Sequence, residues 1–137
     1  MTEADAALLR ARLHLRGGRR RFRRGMLAPG IASLYDALQY AMRWYILFPE
    51  HRAQLGLVSG ESFKEDKHLF ATLVRGGVID RSFDFDAFER LVEQSLDDAS
   101  FQFDAAQVLE HIDRVMTELE IIPFDEAALP PENPGAL

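Results

Sequence analysis

MLAPGIASLYDALQYAMRWYILF, residues 26–48, is the stretch from which the fold is read. It holds the single tryptophan and all three tyrosines of the 137-residue chain. Leu27, Ile31, Leu34, Tyr35, Leu38, Ala41, Met42 and Tyr45 recur at i, i+3, i+4 and i+7, the rhythm of one α-helical face. Ala37, Tyr40, Trp44 and Phe48 form a second apolar flank. A helix that is apolar around most of its circumference belongs in the interior of a bundle. The spacing therefore predicts a long central helix in an all-α fold, an antiparallel bundle of four to five helices.

Working outward, residues 3–15 read as a first helix with Ala7, Leu8, Ala11 and Leu15 on its stripe. Glu3 and Asp5 lie where the helix dipole favours anions, and Arg12 and Arg16 where it favours cations. Gly17-Gly18 predicts the stop. The basic run RRRFRRG follows at 19–25, and the phase of Phe22, Met26 and Gly30 predicts an element that leads, continuous or barely broken, into the central helix. Pro29 either occupies the first turn of a new helix or kinks one long helix. Pro49 closes the central helix, and residues 51–60 read as a loop.

Ser62-x-x-Glu65 predicts a capping box for a helix ending near residue 75, with Phe63, Phe70, Leu73 and Val74 inward and Gly76-Gly77 as its stop. The next helix starts at Asp86-x-x-Glu89, or at Asp84 with Phe83 and Phe88 as a hydrophobic staple, and buries Phe88, Leu91, Val92 and Leu96. Asp104-x-x-Gln107 starts the last, with Val108, Ile112, Val115, Met116 and Leu119 as its stripe. One helical domain is thus expected over residues 1–122. The Pro-rich tail, 123–137, is expected to lack regular structure, to pack through Phe124 and Leu129 and then to fray.

Hydrophobic residues at 47% and charged residues at 28% give an ordinary globular composition, large enough for one core. The absence of cysteine excludes disulfides, thiolate metal sites and cysteine nucleophiles. The net charge of −6 is unevenly spread: residues 1–24 carry eight arginines against Glu3 and Asp5, and the remainder eight Lys or Arg against twenty acids. A basic segment on an acidic body binds nucleic acid, or docks on its own domain or a neighbouring subunit. The acidic total argues against a dedicated nucleic-acid binder. No apolar run is long enough to span a bilayer and the N-terminus lacks a secretory pattern, so a cytoplasmic location without membrane attachment is expected.

The candidate sites are few. His14, His51, His68 and His111 form no H-E-x-x-H pattern, and Glu65-x-x-His68 is a single half of a di-metal motif. The carboxylates of the last three helices read as solvated faces. No catalytic residue, metal ligand or cofactor is assigned. Arg19, Arg20, Arg21, Arg23 and Arg24 are the candidate phosphate-binding residues for a nucleotide or nucleic acid, with Phe22 as a stacking ring. The competing reading docks the same arginines on the acidic helices. Tyr40, Trp44 and Phe48, at i, i+4 and i+8, are the candidate interface of a homodimer, unless the first helix or the tail covers them.

The succession AALLRARLHL, a glycine break, GIASLYDALQYAMRWYI, a loop, DKHLFATLVRGGVID and FDFDAFERLVEQSL resembles the HEPN (higher eukaryotes and prokaryotes nucleotide-binding) class of helical domains over residues 4–120. That resemblance implies a small bundle, often dimeric, built around an Ala- and Tyr-rich second helix. Active members of the class cleave RNA with an Arg followed after four to six residues by His. No histidine here has an arginine at that distance, and Arg90 is followed by Leu96 and Asp97 instead. The resemblance therefore implies a non-catalytic branch, such as the helper subunits that accompany nucleotidyltransferases.

Overall fold

The computed structural model describes residues 1–57 and 63–131, and within them the chain is all-α. Six α-helices follow in order: α1 (Glu3–Arg23), α2 (Leu27–Tyr45), α3 (Pro49–Gln54), α4 (Asp66–Arg75), α5 (Phe85–Asp97) and α6 (Ala105–Glu118). A single 3-10 turn, Glu126–Ala128, comes last.

α1 opens at Thr2. Its hydroxyl accepts the Asp5 N–H at 3.0 Å while the Asp5 carboxylate accepts the Thr2 N–H at 3.2 Å, a reciprocal capping box. The backbone hydrogen bond from Thr2 favours the charged carboxylate and holds Asp5 below the usual carboxylate range.

The helix does not stop at Gly17-Gly18, as their composition predicts, but runs through both to Arg23. Both glycines are buried, and Gly18 faces α2. A Cβ on Gly18 would stand 2.6 Å from Leu34 Cδ2, and one on Gly30 would stand 2.5 Å from Phe22 Cδ1. The glycines thus allow α1 and α2 to approach closely. The pairs His14–Tyr40, Gly18–Leu34 and Phe22–Gly30 rise along one helix and fall along the other, so the two helices are antiparallel.

Residues 19–48 are correspondingly not one element. The chain reverses at Arg24 to Met26, where Gly25 takes φ +74°. Pro29 falls in the first turn of α2, where its missing N–H leaves no helical bond unmade. α2 ends at Tyr45, and Pro49 opens α3 as its first residue instead of only closing the helix before it. Residues 51–54, expected as loop, are therefore helical.

α2 is nonetheless the centre. It packs against α1, α4, α5 and α6. Its Ile31, Leu34, Ala37, Leu38, Ala41 and Met42 have no accessible surface and share one core with Leu15, Leu73, Ile112, Met116 and Leu119.

The remaining starts follow local chemistry. Ser62 lies outside the described residues. α4 begins at Asp66, with Glu65 at its N-cap position making no side-chain cap, so the helix does not start on that box. At α5 the cap is Asp84, which accepts the Ala87 N–H at 2.9 Å, and not Asp86. Phe83 and Phe88 close the staple with ring centroids 5.9 Å apart. Leu96, expected inside, is 70% exposed, and Ser95 is buried in its place. α6 starts at Asp104, which accepts the Gln107 N–H at 3.0 Å, and its expected stripe is buried throughout. The tail is more ordered than its prolines predict, since Asp125 caps the 3-10 turn by accepting the Ala127 N–H at 3.0 Å.

Candidate functional site

Continuing α1 through the glycines gives its arginines a common phase. Arg12, Arg16 and Arg19 are spaced by four and three residues, so they share one side of the helix. That side carries the C-terminal segment. Arg12 donates to the Ile121 carbonyl from Nε at 3.2 Å and from Nη2 at 3.1 Å. Arg16, only 6% exposed, donates to the carbonyls of Glu126 at 3.3 Å and Pro130 at 2.6 Å. Arg19 reaches the Asp113 carboxylate at 2.8 Å and that of Glu126 at 2.9 Å. Half-burial works to lower the Arg19 pKa, but the bonds to Asp113 and Glu126 outweigh it and the net shift is upward.

Phe124 completes this arrangement. The guanidinium carbons of Arg12 and Arg19 lie 5.3 and 6.0 Å from its ring centroid, within cation–π range. Its expected packing is thereby given a cause, and Leu129, five residues on, is half-buried.

Of the five candidate phosphate-binding arginines, Arg19 is engaged by the chain's own acids, Arg20 and Arg21 are half-buried, and Arg23 and Arg24 are exposed. Phe22 is half-buried. It packs on Gly30 and meets Phe103 edge-on with centroids 5.8 Å apart. Arg12 and Arg16, the two residues that hold the tail, fell outside that set; their spacing to Arg19 was the available signal.

Several acids expected on solvated faces are likewise engaged. Asp66 accepts from Gln39 and, at 3.1 Å, from Arg43. Glu118 accepts the Asp80 N–H at 3.1 Å. Glu89 accepts from the Tyr35 hydroxyl at 3.3 Å, and burial together with that carboxylate pushes Tyr35 up to about 12.

The aromatic flank of α2 is half-buried along its length. Tyr40 stacks on His14 with centroids 5.5 Å apart, and Arg10 stands 5.8 Å from the Tyr40 centroid. Trp44 meets Phe48 edge-on at 5.2 Å, and Phe48 meets His51 at 5.4 Å. His51 in turn stacks on Tyr45 at 3.8 Å and donates from Nδ1 to the Tyr45 carbonyl at 2.7 Å, with Nε2 3.4 Å from Glu120 Oε2.

His14 is half-buried against Tyr40. Its Nδ1 is buried without a hydrogen-bond partner among the described residues. Burial lowers its pKa, opposed by the nearby Asp36, whose own carboxyl burial raises. His68 is exposed and pairs only loosely with Glu65, at 3.8 Å, so the Glu65-x-x-His68 half-motif closes on itself. Among the described residues no three His, Asp or Glu side chains converge in a metal-binding group, and no helix is long and apolar enough to cross a membrane.

Comparison with family models, with curated proteins and with solved structures returns no match to this chain.

Proposed function

We propose that the chain is a non-enzymatic interaction protein of the HEPN-like, non-catalytic type, a helper or partner subunit that works in the cytoplasm. A nucleotidyltransferase is the example of a partner that the family layout suggests. In this reading the longer helices make an antiparallel bundle, and the flank of Tyr40, Trp44 and Phe48 lies at a homodimer interface.

The observation that carries the reading is the engagement of Arg12, Arg16 and Arg19 by the Ile121, Glu126 and Pro130 carbonyls and by the Asp113 and Glu126 carboxylates. Guanidinium groups committed to internal acceptors are not on offer to phosphate. These three side chains then serve the fold, and in this reading recognition falls to other surfaces.

Affinity recovery of the tagged chain from its native cells, at moderate salt, tests this. A stoichiometric complex with a second protein is expected. Recovery strictly alone, as a monomer, contradicts it. Trp44→Glu tests the interface separately, and a variant that keeps its helical circular dichroism but sediments as a monomer is the expected result.

A second reading rests on Arg23 and Arg24, which are exposed at the end of α1. There the run 19–24 binds a nucleotide or RNA, and such binding weakens steeply with salt.

A further inference from the structure

Between α4 and the start of α5 lies an open cleft of 460 Å³, inside the range of small-molecule sites. Its floor is aromatic. Phe70 stacks on Phe85 with centroids 4.9 Å apart and meets Phe83 at 5.6 Å. Phe83 and Phe85 are themselves buried, and Phe85 is backed by Tyr35 at 6.3 Å. Ala71 and Val74 complete the apolar wall. The floor is therefore fixed by the core behind it and needs no rearrangement to receive a ligand.

The rim is charged, and its charges are unequally spent. Lys67 pairs with Asp86 at 3.4 Å across the cleft, and Asp84 is committed to capping α5. Arg75 and Arg81 remain, both exposed, and among the described residues Arg75 donates to the neutral Thr72 hydroxyl at 3.3 Å. Three cations against two carboxylates leave the rim with one positive charge in excess, on a body whose residues beyond 24 are strongly acidic.

We propose that this cleft binds a small monoanion with an apolar, aromatic or acyl body. The body lies on Phe70, Phe83 and Phe85, and the anionic group takes charge-assisted hydrogen bonds from Arg75 and Arg81. A polyanion such as a nucleoside triphosphate is disfavoured, because Asp84 and Asp86 border the same space and leave a single charge to neutralise.

The test uses two fluorescent probes that share a ring system, 8-anilino-1-naphthalenesulfonate, which is anionic, and N-phenyl-1-naphthylamine, which is neutral. The intact chain is expected to bind the sulfonate saturably at one site, more tightly than the neutral amine. Arg75→Ala combined with Arg81→Ala is expected to weaken the sulfonate about tenfold and leave the amine unchanged. Ala71→Trp, which fills the cleft, is expected to abolish both. Equal loss of both probes in the arginine variant, equal affinity of the two probes for the unsubstituted chain, or indifference to Ala71→Trp would each overturn the proposal. Should Ala71→Trp fail to fold, shift mapping on the unsubstituted chain decides instead. Sulfonate-induced changes at the Ala71 and Val74 methyls support the site, and changes confined to other methyls overturn it.

Discussion

Gly18 lies so close to Leu34 that a methyl group on its Cα would stand 2.6 Å from Leu34 Cδ2 and 2.8 Å from Leu34 Cγ. The Gly30 carbonyl oxygen, 3.1 Å away, closes the remaining direction, and backbone yields less readily than a side chain. This pair is one of two close approaches between α1 and α2, the other being Phe22 and Gly30. Gly18→Val is accordingly expected to destabilise the chain by about 1–3 kcal/mol, the usual cost of overpacking a core. A glycine that ended a helix would resist Val through its left-handed backbone and would tolerate Asn, which accepts that geometry, whereas Gly18 lies inside a helix and resists Asn as well. Urea midpoints of the two proteins provide the check.

Leu38 and Leu96 define the inside and the outside of the fold. Leu38 has no accessible surface and Leu96 is 70% exposed. Leu38→Ala should cost about 2–5 kcal/mol, while Leu96→Ser should stay within about 0.5 kcal/mol. The reverse order in denaturant melts would mean that α5 is turned the other way.

Arg19 joins α1 to both α6 and the C-terminal segment. Its side chain is 20% exposed, against 38% for Asp113 and 36% for Glu126. Arg19→Ala should cost about 1–2 kcal/mol, below the range for fully buried charged hydrogen bonds because both acids remain partly solvated. Arg23→Ala, at an exposed position, should be near neutral. A double-mutant cycle with Asp113→Asn should return a coupling energy clearly different from zero.

The burial of His14 has a pH signature. Its folded pKa lies below the ordinary 6.5, so below 6.5 the unfolded chain binds the proton more readily than the folded one. Its contribution is whole above 6.5 and is lost as pH falls through the depressed folded value. Asp36 works in the opposite sense at lower pH. Its raised carboxyl favours folding below 3.8, and that gain disappears as pH rises through the folded value. His14→Phe keeps a ring against Tyr40 and should flatten the loss of stability below pH 6.5. Parallel curves for the two proteins would contradict the assignment.

What could be read from the sequence was what local chemistry decides. The 3.6-residue rhythm of α2 located the core, and Asp104 marked a helix start because a short acceptor there meets free N–H groups, while Asp84 was one of two candidate starts for α5. Gly17-Gly18 misled because the same residue type serves both a helix stop and a close crossing, and only the partner helix distinguishes them. That error hid the arginine face, since Arg12, Arg16 and Arg19 align only if the helix is unbroken. Leu96 was misplaced by following Phe88 and Val92 in steps of four. Each such step turns about 40° past a full circle, so two of them carry the side chain off the buried face. Steps of three and four, Phe85, Phe88, Val92 and Ser95, stay on it.

The account turns on whether the basic run of α1 works inside the fold or outside it. Fluorescence anisotropy of a labelled oligouridylate, titrated with the chain at low ionic strength, addresses this most directly. With Arg12, Arg16 and Arg19 occupied by the chain's own acceptors, no saturable rise is expected at micromolar protein, and alanine at 19, 20, 21, 23 and 24 should change nothing. Saturable binding that falls steeply with added salt, and disappears in that alanine variant, would contradict the account and install the phosphate-binding reading in its place.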